Sequence, residues 1–245
     1  PLNSPWDLAY LEGQLYIAMA GAHQIWVMDL ETTVFQPFAG SGREGRIDGA
    51  FDKAALAQPS GITISGRKLY FADSEVSSIR YADIGKKVVK TVVGKDLFVF
   101  GDVDGQGDEV RLQHPLGVLN HNGLLYIADT YNHKIKVLNP LDKTCRTFSG
   151  NGKPGHTDGK EPQFYEPGGL SVANNKMYVA DTNNHAIRIV DMKTKEVSTL
   201  QIKGLKTGVT SKAPSAGIPP FAKAVELPLK TLKIDADIQL TMNLN

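Results

Sequence analysis

The 245-residue sequence predicts an all-β fold, a β-propeller of four four-stranded blades. Two observations carry the prediction. One segment pattern recurs four times at a period of a little over fifty residues, and each copy holds four short apolar or alternating runs parted by turn residues. A third observation permits it, since 41% hydrophobic residues are enough to bury a large core.

The repeat emerges when Pro5, Pro59, Pro115 and Pro167, which lie 54, 56 and 52 residues apart, are taken as origins. Eleven residues on stand Tyr16, Tyr70, Tyr126 and Tyr178, and thirteen on stand Ala18, Ala72, Ala128 and Ala180. Offset fourteen holds Met19, Asp73, Asp129 and Asp181; offset eighteen holds His23, Ser77, His133 and His185. In the second copy the runs are Gly61–Ile64, Leu69–Ala72, Ile79–Tyr81 and Val88–Val93, a four-stranded meander. One such meander cannot bury both of its faces, but meanders stacked around an axis can. The blades are placed at about 5–58, 59–114, 115–166 and 167–205. Residues 206–220, rich in Ser, Pro, Gly and Lys, read as a linker, and 221–245 alternate with period two as a strand.

Two segments, Ala128-Asp129-Thr130-Tyr131-Asn132-His133 and Ala180-Asp181-Thr182-Asn183-Asn184-His185, each follow a Pro-x-Gly strand. They resemble the NHL repeat, whose Asn-His pair stands at 132–133 and 184–185. The first copy departs from it with Ala22-His23 and the second with Ser77-Ser78. Together with Phe98–Gly105, Leu112–Gly117 and Ala18–Trp26, they make residues 1 to 205 similar to the propeller of proteins that join a thioredoxin-like domain, an NHL propeller and a C-terminal β-domain. That resemblance implies a six-bladed ring, with two blades and the thioredoxin-like domain upstream of Pro1, and makes 221–245 the start of the C-terminal domain.

Histidines and aspartates in register invite a metal or acid–base reading. Equivalent positions around a ring do not converge, however, and turn chemistry alone calls for these residue types. Asp73, Asp129, Asn132, His133, Asp181, Asn184 and His185 are therefore read as structural turn residues. Asp129, Asn132, Asp181 and Asn184 are expected to bond the backbone of their own turns. Asp102, Asp104 and Asp108 resemble half of a calcium loop and are the weak metal candidates; the twelfth position is Gln113, where such a loop needs a bidentate glutamate. The glycine-rich stretches Gly40–Gly45 and Gly150–Gly155 follow strands and open no helix, so they read as flexible linkers, not phosphate cradles. Cys145 aligns with Phe35, Val89 and Val197 and is expected in the core.

Lys+Arg 27 against Asp+Glu 26, with no basic run, argues against a nucleic-acid partner. The sequence has no apolar stretch of membrane-spanning length and no signal-peptide pattern at its start, so a soluble chain is expected; its single cysteine leaves the compartment open, with the cytoplasm favoured. No cofactor is expected. The function expected is a non-enzymatic interaction platform, presenting the linkers 40–58, 94–114 and 150–166 to a protein partner or to the protein's own thioredoxin-like domain. The alternative is a metal-dependent propeller enzyme of the lyase or lactonase type, for which the inner strands offer one carboxylate, Asp7.

Overall fold

The computed structural model describes residues 2–204 and the backbone of 229–234 and 238–243. Residues 1–201 form one compact unit and 202–245 another. Four antiparallel meanders build the first. Blade 1 comprises β1 (Pro5–Leu11), β2 (Gln14–Met19), β3 (Gln24–Asp29) and β4 (Phe35–Ala39). A short β5 (Gly49–Ala50) follows, and then blade 2, made of β6 (Pro59–Ser65), β7 (Lys68–Asp73), β8 (Ser78–Asp83) and β9 (Val88–Val93). After β10 (Gly105–Gln106) come β11 (Gly117–His121), β12 (Leu124–Asp129), β13 (Lys134–Asn139) and β14 (Thr144–Ser149) of blade 3. Blade 4 holds β15 (Pro167–Ala173), β16 (Lys176–Asp181), β17 (Ala186–Asp191) and β18 (Val197–Thr199). The all-β propeller read from the repeat is the observed fold.

The inner strands lie side by side in the order β1, β6, β11, β15. Alternation along each strand gives every blade two apolar faces. One face, from offsets ten, twelve, twenty-three and thirty, is Leu69, Phe71, Ala82 and Val89 in blade 2 and packs on Tyr16, Ala18, Ile25 and Val27 of blade 1. The same offsets give Leu125, Ile127, Leu138 and Cys145 against blade 2, and Met177, Val179, Val190 and Val197 against blade 3. Cys145 thus lies in a blade-to-blade core. In blade 1 these offsets are Leu15, Ile17, Met28 and Phe35, which line an open hollow together with Trp6 and Leu8.

The linkers depart from the expectation of flexible, exposed connections. Each crosses to the outer edge of the next blade before entering its inner strand: β5 pairs with β9, β10 with β14, and Gly159 bridges Val197. Ala54–Ala57, Val110, Leu112 and Phe164 of the linkers are buried and complete the cores between blades. The physical reason is that the wedge between two twisted sheets widens outward and needs filling.

In the second unit, β19 (Leu229–Ile234) and β20 (Ile238–Asn243) pair antiparallel, dividing the alternating stretch between two strands. The expected linker 206–220 lies outside the described residues.

Candidate functional site

The Asp-Thr-x-Asn-His segments form the connection between the second and third strands of their blades, and their Asp and Asn side chains bond each other and the backbone of other chain segments, not the backbone of their own turns. Asp129 Oδ1 accepts the Gln113 N–H at 2.7 Å, and Asp181 Oδ1 accepts that of Tyr165 at 2.7 Å. Asp73 does the same for Ala57. Asn132 donates to Gly101 O and to Asp129; Asn184 donates to Gly155 O and to Asp181. The expectation that these residues satisfy their own turns is thereby corrected. A short 3-10 turn satisfies itself through backbone, as in His133 N to Thr130 O, and frees the side chains to hold the incoming linker.

The hydroxyl and the histidine serve the following blade. Thr130 Oγ1 donates to Pro167 O at 2.9 Å and Ser74 Oγ to Pro115 O at 2.8 Å. His23, Ser77, His133 and His185 all sit at φ of 46–54°, the left-handed conformation that ends the turn. Nδ1 of His133 accepts the Glu166 N–H, Nδ1 of His23 that of Gln58, and Ser77 Oγ that of His114. Burial lowers the His133 pKa, which keeps that nitrogen an acceptor.

The weak metal candidates already hold a cation. Lys136 Nζ, buried, donates to Asp102 Oδ1 at 2.7 Å and to Asp104 Oδ1 at 2.8 Å. Burial pushes both carboxyls up, but the hydrogen bonds from Lys134 and Lys136 to Asp102, and from Lys136 and Thr147 to Asp104, outweigh it and hold both below the usual range. Asp108 stands apart, in a 3-10 turn at 107–109. Asp104 is also the blade 3 form of a device the sequence reading missed. Asp48 and Asp158, at the matching linker position, bind the buried Arg80 and Arg188, whose other nitrogens reach Asp73 and Asp181 at 2.7 Å. Each linker aspartate also accepts the N–H and hydroxyl of Thr91, Thr147 or Thr199 in the outer strand. The signal was available: Arg80, Lys136 and Arg188 share offset twenty-one, and the three threonines share offset thirty-two.

Lys136 is shorter than the arginines it replaces and lies 4.0 Å from Asp129. Burial accordingly pushes Asp129 up to about 7, opposed by the hydrogen bonds from Asn132 and Gln113 and by the Lys136 charge. Burial takes the Cys145 thiol up to about 12, which leaves it protonated and unreactive at neutral pH.

With the repeated polar residues engaged in holding blades together, a cleft of about 400 Å³ on the linker face is one of the features left free. Its walls are Leu97, Phe98 and Phe100 from the linker 94–114, Tyr131 and Glu75 from two blade turns, Glu44 from the preceding linker, and Ser77, Gln113 and His114 beneath. His114 stacks on Tyr131 at 4.7 Å and 14°. The inner strands meet around a second hollow lined by Asp7, Ser60, Gly61, Gly117, Gly168 and Gly169. Asp7, raised by burial, spends its oxygens on the N–H groups of Ile62 and Leu8.

Residues 164–190 match the NHL repeat family, over the part of blade 4 that contains Asp181 and His185. The fourth blade carries an NHL repeat. Curated relatives match over most of the chain. Protein SUPPRESSOR OF QUENCHING 1, chloroplastic, from Arabidopsis thaliana is 42% identical over 96% of this chain and 24% of its own length. NHL repeat-containing protein 2 from Homo sapiens is 42% identical over 82% of this chain and 33% of its length, and that from Bos taurus is 40% identical over 89% and 35%. The chain therefore spans between 24% and 35% of the curated relatives it matches. Among solved structures, an auxiliary nutrient binding protein from Bacteroides ovatus superposes with a TM-score of 0.59 at 19% identity, covering 80% of this chain and 48% of its own. Virginiamycin B lyase from Staphylococcus aureus gives 0.56 at 13%, covering 85% and 59%. At such identities they show the propeller fold alone. No helix among the described residues is long and apolar enough to cross a membrane.

Proposed function

We propose that this NHL segment is a non-enzymatic protein-interaction platform whose linker face, and in particular the cleft built on residues 94–114, receives a protein partner. The observation that carries the reading is a contrast inside one chain. Asp73, Asp129, Asp181, Asn132, Asn184 and His133 are all engaged in bonds between linkers and blades, whereas Phe98, Phe100 and Tyr131 stand exposed around a cleft. Exposed aromatic residues on a rigid scaffold suit recognition.

The sequence resemblance to proteins that carry a thioredoxin-like domain makes that domain the first partner to test, and we propose further that 221–245 begin a C-terminal β-domain and that the protein works in the cytoplasm. The lyase or lactonase reading is disfavoured because Asp7 is the one carboxylate on the inner strands, and no group of three or more His, Cys, Asp or Glu among the described residues converges as metal ligands do. Replacing whole linkers would unfold the protein, since Val110, Leu112 and Phe164 are core residues. The test is therefore Phe98→Ser with Phe100→Ser in the full-length protein, followed by cross-linking to its partners. Loss of the cross-links at unchanged thermal stability supports the platform; unchanged cross-links, or turnover of a lactone by the wild-type segment with a divalent metal, overturn it.

A further inference from the structure

The three linkers open alike on a glycine, Gly40, Gly94 or Gly150, and reach a matching glycine, Gly45, Gly101 or Gly155, after a short run. That run is Ser41-Gly42-Arg43-Glu44 in the first and Asn151-Gly152-Lys153-Pro154 in the third. In the second it is two residues longer and mostly apolar: Lys95-Asp96-Leu97-Phe98-Val99-Phe100. The blade-to-blade device operates in all three places, so the scaffold does not require the longer run.

The run is built to display its rings. Val99 N bonds back to Asp96 O, and Asp96 Oδ1 accepts the Leu97 N–H, closing a turn in which Phe98 takes φ of 63°. That conformation is unfavourable for a bulky residue and leaves the Phe98 ring 90% exposed. Phe100 and Tyr131 are also exposed, and His114 is fixed beneath by its stacking on Tyr131 and by donating its N–H to Ser77 Oγ.

The charge in the cleft has one sign. Glu44 and Glu75 both line it, and no Lys or Arg does. Among the described residues the Glu44 carboxylate makes no hydrogen bond or ion pair, and that of Glu75 has only His114 Nδ1 at 3.8 Å. Burial, outweighing the pull of Glu75, lowers the His114 pKa, so the ring adds no compensating charge at neutral pH. Aromatic faces beside unpaired carboxylates attract a planar, weakly hydrated cation more than a compact ammonium, because a guanidinium stacks on the ring while its edge donates to the carboxylates.

We propose that the cleft between Phe98, Phe100, Tyr131, Glu44 and Glu75 binds an arginine side chain presented by an extended segment of a partner protein. The proposal rests on the platform reading and gives it a chemical specificity. The test uses the full-length protein and fluorescein-labelled peptides of alternating arginine and leucine, with lysine or citrulline in place of arginine, read by fluorescence anisotropy. Arginine peptides bind about tenfold tighter than citrulline peptides and more tightly than lysine ones. Glu44→Gln with Glu75→Gln abolishes the preference over citrulline, while Phe98→Ser with Phe100→Ser weakens all three. Equal binding of arginine and citrulline, or a preference that survives the glutamine pair, overturns the proposal. If the glutamine pair keeps its partner cross-links in full while the serine pair loses them, arginine recognition falls and the platform stands; if neither pair loses them, both fall.

Discussion

Replacing Arg80 by methionine removes one guanidinium and leaves four acceptors without it: Asp73, which is completely buried, the half-exposed Asp48, and the carbonyls of Ala55 and Ile47. Methionine fills nearly the same volume, so the cavity contribution is small. Removing one partner of a buried pair costs about 3–5 kcal/mol. The upper end has a physical ceiling, because a stranded carboxylate can take a proton. From an ordinary value near 3.9 that costs about 4 kcal/mol at pH 7 and about 1.5 kcal/mol at pH 5. The direction is already set in the native protein, where burial raises Asp73 against the opposing pull of Arg80. Urea unfolding of wild type and R80M should therefore differ by about 3–4 kcal/mol at pH 7 and by about 2 kcal/mol less at pH 5. His23, which also faces Asp73, is the same in both proteins. Adding Asp73→Asn keeps an acceptor for the Ala57 N–H and should recover part of the loss at pH 7. A deficit under about 1 kcal/mol, or one independent of pH, or no recovery in the double variant, would refute the assignment of Arg80 and Asp73 as a buried, mutually dependent pair.

Three further outcomes follow from the same geometry. Because Asp129 titrates at about 7 when folded, above the ordinary unfolded value, the folded state holds its proton more tightly, and stability should fall as pH rises from about 4 to about 7. Lys136→Arg brings a guanidinium within reach of Asp129, as in blades 2 and 4, and should flatten that slope in unfolding curves taken across the range. Cys145 should resist thiol reagents until denaturant is added, and Cys145→Val, the residue found at 89 and 197, should cost less than about 1 kcal/mol. Gly117→Ala would drive a methyl into the Gly168 carbonyl and should cost more than about 2 kcal/mol, whereas at Gly169 the nearest atom is 3.8 Å away and alanine should cost less than about 1 kcal/mol, both read by chemical denaturation.

The propeller was legible because its period is long and its strands alternate; four tyrosines and four alanines in register place β2, β7, β12 and β16 without any knowledge of packing. Cys145 was legible for the same reason, since its register partners are apolar. The partners of the aspartates were not. Asp-Gly at 48, 104 and 158 is ordinary turn vocabulary, and nothing local says that its carboxylate will meet an arginine about thirty residues later across a strand boundary. The same blindness made Asp102 and Asp104 look like half of an ion site, when the charge they answer is Lys136, which sits on a different strand. The cleft escaped notice because its residues come from two linkers and two blade turns, and no spacing in the sequence joins Glu44 to Tyr131.

The position of the linker aspartates bears on how such an array can grow. A fragment cut at Pro59 and Pro115 would contain Arg80 but leave Asp48 behind, and it would carry Asp104 away from Lys136. Cut instead just before Asp48 and just before Asp104, the fragment retains Arg80 with both of its aspartates and Thr91 with its acceptor. Tandem duplication of either fragment keeps the register, since Asp104 of one copy then stands where Asp48 does for Arg80 of the next; a single blade moved by itself, however, keeps both counter-charges only in the second form. The self-contained unit of such an array therefore begins about eleven residues ahead of the blade proline, inside the linker, and a blade excised or transplanted alone should fold best when cut there.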